Sequence, residues 1–294
     1  MKKKKKKSFK KITNFLEAVL AYTFYYLLRL FPVRVSSSIG YFLGKRLIPM
    51  FSGDRKKVAI NNILLAFPQK TKQEAKEIFA KSCGYFGASI FEIPRITDLE
   101  SRINFIDEHN VLQSMKNTTS LVFSAHYGCW EIFSSRFVGL ADIHYSIYKN
   151  PKNPYLESFF IKIRDNDSNM KMITLSKQRL VSLNNEIKHN NVNINMLVDQ
   201  KIKEGIKVDF FNRAVLTSTF LPLFALKYNL PLIPTRVVRR DNFMFDIILE
   251  KPIQIEKTDN KEKDIEKLTT LMNKKIEEWI IEEPSQWFWL HKRW

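Results

Sequence analysis

Apolar and polar positions follow two regimes along the chain, and the change comes near residue 102. Before it, apolar residues recur at three- and four-residue spacing in "ITNFLEAVLAYTFYYLLRLF", "SSSIGYFLGKRLIPMF", "DRKKVAINNILLAF" and the segment from Thr71 to Ile93. That period predicts helices, and Thr71 with Glu74 has the spacing of a capping box. After it, short apolar runs alternate with helical segments: "INFI", "SLVFSA", "IHYSIY", "MKMIT", "VNINMLV", "VDFF", "LPLIPTRVV" and "FMFDIILE". The alternation predicts an α/β fold with a central, mostly parallel sheet covered by helices, preceded by an all-helical amino-terminal region. The organisation read from these patterns is a basic leader and membrane-anchoring helix over 1–32, a helical part over 33–100 and an α/β domain over 101–294. A charged amphipathic helix is expected from Asp259 to Glu283, ended by Pro284. The chain then closes with "SQWFWLHKRW", whose three Trp beside His291, Lys292 and Arg293 suit an interface or, given the area that aromatic rings bury, a cap over the core.

In open α/β sheets ligands gather beyond the carboxyl ends of the strands. Three polar candidates fall there: His126 after "SLVFSA", Lys149 after "IHYSIY", and Asp199-Gln200 after "VNINMLV". In "SLVFSAHYGCWEIF" a glutamate, Glu131, follows His126 by five positions. On one helix such residues are rotated by roughly 140°, so the pair predicts a break: a buried strand at Leu121–Phe123, a turn at Gly128 and a helix from Trp130. Glu131 then lies in the first turn of that helix, where the macrodipole favours a carboxylate, and folds back towards the imidazole. This is a geometry for a carboxylate-oriented general base. The plainer alternative is a satisfied loop histidine beside an ordinary first-turn acid.

The composition narrows the partners. A hydrophobic fraction of 45% is ample for a core, and 48 Lys and Arg against 30 Asp and Glu give a net charge of +18. The excess favours phosphate headgroups, nucleic acid or an acidic carrier protein, although a Lys-, Asn- and Ile-rich composition accounts for part of it and no nucleic-acid-binding module is present. Cys83 and Cys129 lack disulfide or zinc spacing; Cys129 is either a nucleophile or a small buried hydrophobe. GxGxxG, P-loop and GxSxG signatures do not occur. The opening "MKKKKKKSFKK" precedes about twenty mostly apolar residues, enough to cross a bilayer, but Glu17 and Arg29 interrupt them and basic residues flank both sides. The positive-inside rule keeps both flanks cytoplasmic, which fits a retained helix lying at the inner face of an anionic membrane. A crossing helix and a buried core helix are the alternatives.

His126-Tyr-Gly-Cys-Trp-Glu131 resembles the H-x4-[DE] motif of membrane acyltransferases of the glycerolipid type, and further segments resemble, in order, the bacterial lipid A late acyltransferase family. "DRKKVAINNILLAFP" is similar to a basic stretch leading into Asn-Leu and Phe-Pro, with Ile63 where Leu is usual. "YKNPKNPYLESFFIKIR" resembles a segment ending in a functional arginine, here Arg164, with Lys149-Asn150 in place of the usual Arg. "MLVDQ" resembles a strand-ending Asp-Gln, "FFNRAVLTSTF" an aromatic-Gly-Arg segment with Asn212 for the glycine, and "PSQWFWLHKRW" a closing Trp and basic-Arg-Trp pattern. The resemblance spans nearly the whole chain.

It implies transfer of a fatty acyl group from acyl carrier protein to a hydroxyl on an acyl chain of a lipid A precursor, at the cytoplasmic face of the bacterial inner membrane. His126 is then the general base, Glu131 its orienting carboxylate and Arg164 a cation for the thioester oxyanion, while Asp199, Gln200 and Lys149 are substrate-binding candidates. The chemistry agrees, since an imidazole titrates near neutrality and an acidic residue can hold its productive tautomer. The implied partners are the carrier protein, the lipid A precursor and anionic inner-membrane lipids, with no nucleic acid. No metal, nucleotide or other cofactor is implied beyond the carrier-protein thioester. An acyltransferase for another acceptor, such as a lysophospholipid, is the near alternative; a non-enzymatic basic protein binding membranes or nucleic acid is the distant one.

Overall fold

The structure, a computed structural model, describes residues 2–151, 153–164 and 170–294, with the side chains of 2–8, 134–135, 162–164 and 177 outside the description. Four helices open the chain: α1 (Lys2–Leu28), α2 (Val33–Phe51), α3 (Asp54–Ala66) and α4 (Lys72–Glu92), followed by a 3-10 stretch at Ile93–Arg102. The capping box forms as its spacing requires. Thr71 Oγ1 accepts from Glu74 N at 3.2 Å and the Glu74 carboxylate accepts from Thr71 N at 2.7 Å. Helices α2 and α4 meet backbone to backbone. A Cβ placed on Gly44 would lie 2.3 Å from Cys83 O, and one on Gly87 would lie 2.2 Å from Gly40 O, so glycine is what permits this approach.

Helix α1 packs one side on α6 (Pro154–Arg164), where Tyr22 and Tyr25 meet the ring of Phe159. Glu17, which interrupts the apolar run, accepts a hydrogen bond from Asn153 Nδ2 at 3.0 Å. Phe24 also meets Phe91 of α4, but Phe9, Leu16, Leu20 and Leu27 are exposed, so a buried core helix is not what this segment forms. Among the described residues no helix is long and apolar enough to cross a membrane.

The second half is an α/β layer structure built on a seven-stranded sheet of order β1-β9-β8-β2-β5-β3-β4. Its strands are β1 (Ile103–Ile106), β2 (Ser120–Ser124), β3 (Ile143–Ile147), β4 (Met170–Ile173), β5 (Val192–Leu197), β8 (Leu232–Arg240) and β9 (Met244–Leu249). All neighbours pair in parallel except β8 with β9, so the sheet is mostly parallel with helices as crossovers. Among the described residues, the short α5 (Val111–Met115), α7 (Lys177–His189) and α8 (Phe220–Tyr228) are the other α-helices before α9 (Lys261–Glu282). β6 (Ile206–Asp209) and β7 (Ala214–Thr217) form a separate hairpin. Its two turn residues, Phe211 and Asn212, have φ of +50° and +57°. Two positive φ angles define a type I′ turn, and Asn is a side chain that tolerates them, which is how Asn212 stands where the resembled family has glycine.

Strand alternation divides the core. Leu121, Phe123 and Ile194 share one cluster with Met272, Ile276 and Trp279 of α9, while Val122 and Val237 share the other with Ile132 and Phe137. The segment after α9 caps the first cluster: Trp287 and Trp289 are fully buried, and Ser82 Oγ of α4 donates to Trp287 O at 2.5 Å.

Candidate active site

Strand register assembles the site. β2 and β5 run parallel with Ser124 opposite Leu197. Two residues further on each strand are His126 and Asp199, which therefore leave the sheet side by side at its carboxyl edge. His126 Nδ1 lies 2.7 Å from Asp199 Oδ1, and His126 N donates to Oδ2 at 2.9 Å. Trp287 Nε1 donates to the same Oδ2 at 2.8 Å. Asp199 has no exposed surface. Burial alone would raise its carboxyl, but the adjacent His126 ring and its hydrogen bonds outweigh this and hold the group well below the usual carboxylate range. A buried carboxylate at Nδ1 fixes the proton there, so Nε2 carries the lone pair. Gln200 Nε2 faces that lone pair at 3.1 Å.

The loop after β2 is held from several sides. Gly128 has φ +57°, and a Cβ there would lie 1.8 Å from Val237 O, so both conformation and space demand glycine. Gly128 N donates to Gln286 O at 2.8 Å, and Phe288 N to His126 O at 2.9 Å. The Gln286 amide in turn clasps the backbone of Arg239, accepting from its N at 2.8 Å and donating to its O at 3.0 Å. Beneath the loop, the Arg239 guanidinium makes two 2.7 Å bonds to Glu92 of α4, and Cys129 Sγ donates to Glu92 Oε2 at 3.2 Å. Burial first, and the Glu92 charge next, push the Cys129 thiol well above its ordinary range. It stays protonated, which removes it as a nucleophile.

Two expectations about Glu131 are corrected here. The segment from Trp130 is not an α-helix but two 3-10 turns, Trp130–Ile132 and Ser134–Phe137, too short to present the macrodipole of a full helix. Glu131 Oε1 accepts from Trp130 Nε1 at 3.1 Å, and the carboxylate set against His126 Nδ1 is that of Asp199. The orienting position expected for Glu131 is thus filled from β5. Asp199 and Gln200, both expected to bind substrate, lie against the two nitrogens of the His126 ring, Asp199 at Nδ1 and the Gln200 amide at Nε2. Lys149 leaves β3 at the same sheet edge with its side chain exposed. Arg164 is the last residue of α6, and its side chain lies outside the described residues.

Three participants were not anticipated: Trp287, His291 and Arg293. His291 packs its ring 4.8 Å from that of Trp287 and 6.3 Å from that of His126. Burial lowers His291 to about 4, against an opposing pull from Asp199. Arg293 is also buried, and its guanidinium donates to Leu216 O at 3.0 Å, Thr217 Oγ1 at 2.9 Å and Asn273 Oδ1 at 3.0 Å. Burial lowers it to about 10, opposed by the charge of Asp199, so it remains a cation at neutral pH. A basic residue between tryptophans is the sequence signal, but it reads equally as a solvated edge. Around the partly open His126 ring, whose side chain is 17% exposed, Trp130 and Phe288 form an apolar wall continued by Phe86.

The depressed His291 gives a pH signature. In the unfolded chain it protonates near 6.5 and in the fold near 4, so between these values the unfolded state binds the extra proton and stability falls as pH falls. The loss from this residue is about 3 kcal/mol. Denaturant unfolding at pH 7 and pH 4.5 should therefore show a smaller acid loss for His291→Gln than for wild type; an identical loss would remove His291 from the acid limb.

Among the described residues no three His, Cys, Asp or Glu side chains converge as metal ligands would. What the arrangement can do is accept a proton from a hydroxyl at Nε2 while a buried carboxylate stabilises the imidazolium. The model of a family described as bacterial lipid A biosynthesis acyltransferase matches residues 2–294. No curated protein matches the chain.

Proposed function

Because the chain belongs to the bacterial lipid A biosynthesis acyltransferase family, we propose that it transfers a fatty acyl group from acyl carrier protein thioester to a hydroxyl of an acyl chain on a lipid A precursor, a late step of lipid A assembly. The observation that carries this reading is the His126–Asp199 pair, 2.7 Å apart at the carboxyl edge of a parallel sheet. The acceptor hydroxyl takes its place at His126 Nε2 and gives up its proton there as its oxygen attacks the thioester carbon. Asp199, ionised and buried, stabilises the imidazolium. The tetrahedral intermediate collapses with cleavage of the C–S bond, and the imidazolium returns the proton to the leaving thiolate. Arg164 is proposed as a cation for the oxyanion and Lys149 as a contact for polar substrate groups. The wall of Trp130, Phe288 and Phe86 suits an acyl chain.

The cytoplasmic face of the inner membrane is proposed as the place of action. Support comes from the amino-terminal lysines and from the apolar residues that α1 and α2 expose, among them Phe9, Leu20, Met50 and Phe51. A basic, apolar face of this kind matches anionic lipid, and the net charge of +18 matches an acidic carrier protein.

Mass spectrometry of acyl transfer tests the proposal. Membranes holding wild type or His126→Ala are supplied with acyl carrier protein thioesters and a tetra-acylated lipid A precursor or a lysophospholipid. The expected result is a new acyl chain on the precursor with wild type alone. Transfer to lysophospholipid alone would overturn the acceptor, and no His126-dependent transfer to either would overturn the reaction.

A further inference from the structure

From the contact between Gln200 and His126 we infer that Gln200 is a gate on the base: it caps Nε2 while the acceptor is absent and so protects the acyl thioester from water. The inference rests on the proposed acyl transfer for its consequence, and on geometry for the cap. With the His126 proton on Nδ1, held by Asp199 at 2.7 Å, the ring has one lone pair left, on Nε2. The Gln200 amide nitrogen lies 3.1 Å from it, and an amide N–H is the end of the side chain that such a lone pair accepts. The reach is set by the backbone. Gln200 directly follows the buried Asp199, and its own carbonyl accepts from Arg293 Nη1 at 3.4 Å.

A capped lone pair takes no proton from water. In hydrolysis, water oxygen would attack the thioester carbon, its proton would pass to Nε2, the C–S bond would break and the thiolate would be reprotonated from the ring. The first proton transfer needs the position that the amide occupies. An acceptor lipid brings binding energy from the rest of its structure and can spend it on displacing the amide; a water molecule brings none. Once the ring is protonated, Nε2–H and the amide N–H are two donors facing each other, so the cap returns only after the proton has left. Gln200 thereby favours a bound hydroxyl over bulk water without touching the thioester. It is a positioning residue, acting through His126.

Two readouts test the gate on the full chain in detergent. The first is carbethoxylation of His126 by diethyl pyrocarbonate, which attacks an imidazole lone pair, followed on the His126 peptide by mass spectrometry at pH 7. Gln200→Ala and the near-isosteric Gln200→Met, which keeps the bulk but has no donor, are expected to react several-fold faster than wild type at unchanged melting temperature. The second is fatty-acid release from lauroyl acyl carrier protein without acceptor, expected to rise roughly tenfold relative to transfer in both variants, the factor that one ordinary hydrogen bond corresponds to, and to vanish when His126→Ala is added. Equal carbethoxylation in all three proteins overturns the cap. Faster carbethoxylation without a rise in the ratio of hydrolysis to transfer overturns the protective role. Failure of the acyl-transfer reading shows separately, as wild type that is modified at His126 yet transfers to no acceptor.

Discussion

Asp199→Asn is expected to lower kcat for acyl transfer by about 10³–10⁴-fold, approaching the loss on removing His126 itself. The reason lies in which oxygen does what. Asp199 Oδ2 accepts two N–H bonds, from His126 N and Trp287 Nε1, while Oδ1 faces His126 Nδ1. An Asn in this place satisfies both N–H groups only with its carbonyl at the Oδ2 position, which turns its NH2 towards Nδ1. The ring must then present a lone pair at Nδ1 and carry its proton on Nε2, where it can no longer accept one. Asp199 has no surface open to a substrate, so KM should move little. Single-turnover kinetics with purified Asp199→Asn, alongside circular dichroism to show an intact fold, measures this. A drop of less than tenfold would mean that the carboxylate does not set the tautomer.

Arg239→Ala is expected to cost about 3–5 kcal/mol of stability. Removing the guanidinium strands Glu92, which is fully buried and whose carboxyl is held low by Arg239 against the upward pull of burial. Because the folded value is depressed, the pair's contribution is present above the ordinary glutamate range and fades as pH falls through it. The deficit of the variant should therefore be full at pH 7 and shrink in acid. Urea unfolding of Arg239→Ala beside a Glu92→Leu/Arg239→Met double variant separates charge from packing. The double variant is expected to recover most of the loss, since an apolar pair leaves no charge unpaired. Equal deficits in both would place the effect in packing instead.

The periodic parts of this fold were legible in the sequence. The capping box at Thr71, the change from helical to alternating pattern near residue 102, and the strands around Val122, Ile194 and Ile247 all appear where the apolar spacing puts them. β7 (Ala214–Thr217) was not, because the turn before it is made by Phe211-Asn212 without a glycine to mark it. His126 was legible because it follows a buried run at a strand end. Its partner was not, and the error is instructive. Glu131 is close in sequence, whereas Asp199 is 73 residues away and arrives through the pairing of β2 with β5. Strand order is a property of how sheets pack, not of any one segment. The 3-10 turns after Trp130 defeated the helical reading for a related reason: Ile132 and Phe133 are apolar because they fill the second core cluster, not because they line a helix. His291 and Arg293 look like ordinary basic residues until tertiary burial strips them of water.

The partnership between segment 286–294 and the loop after β2 has a consequence for how the protein is made. Trp287 reaches back 88 residues to Asp199, 205 to Ser82, and His291 accepts from Asn62 across 229. On a ribosome, domains fold from the amino end as they emerge, so a nascent chain paused at residue 285 has every strand of the sheet and both members of the His126–Asp199 pair. It lacks the indole that steadies Asp199 and the backbone bond that holds His126 O. The surroundings of that pair are therefore complete only once residues 286–294 have folded back onto them.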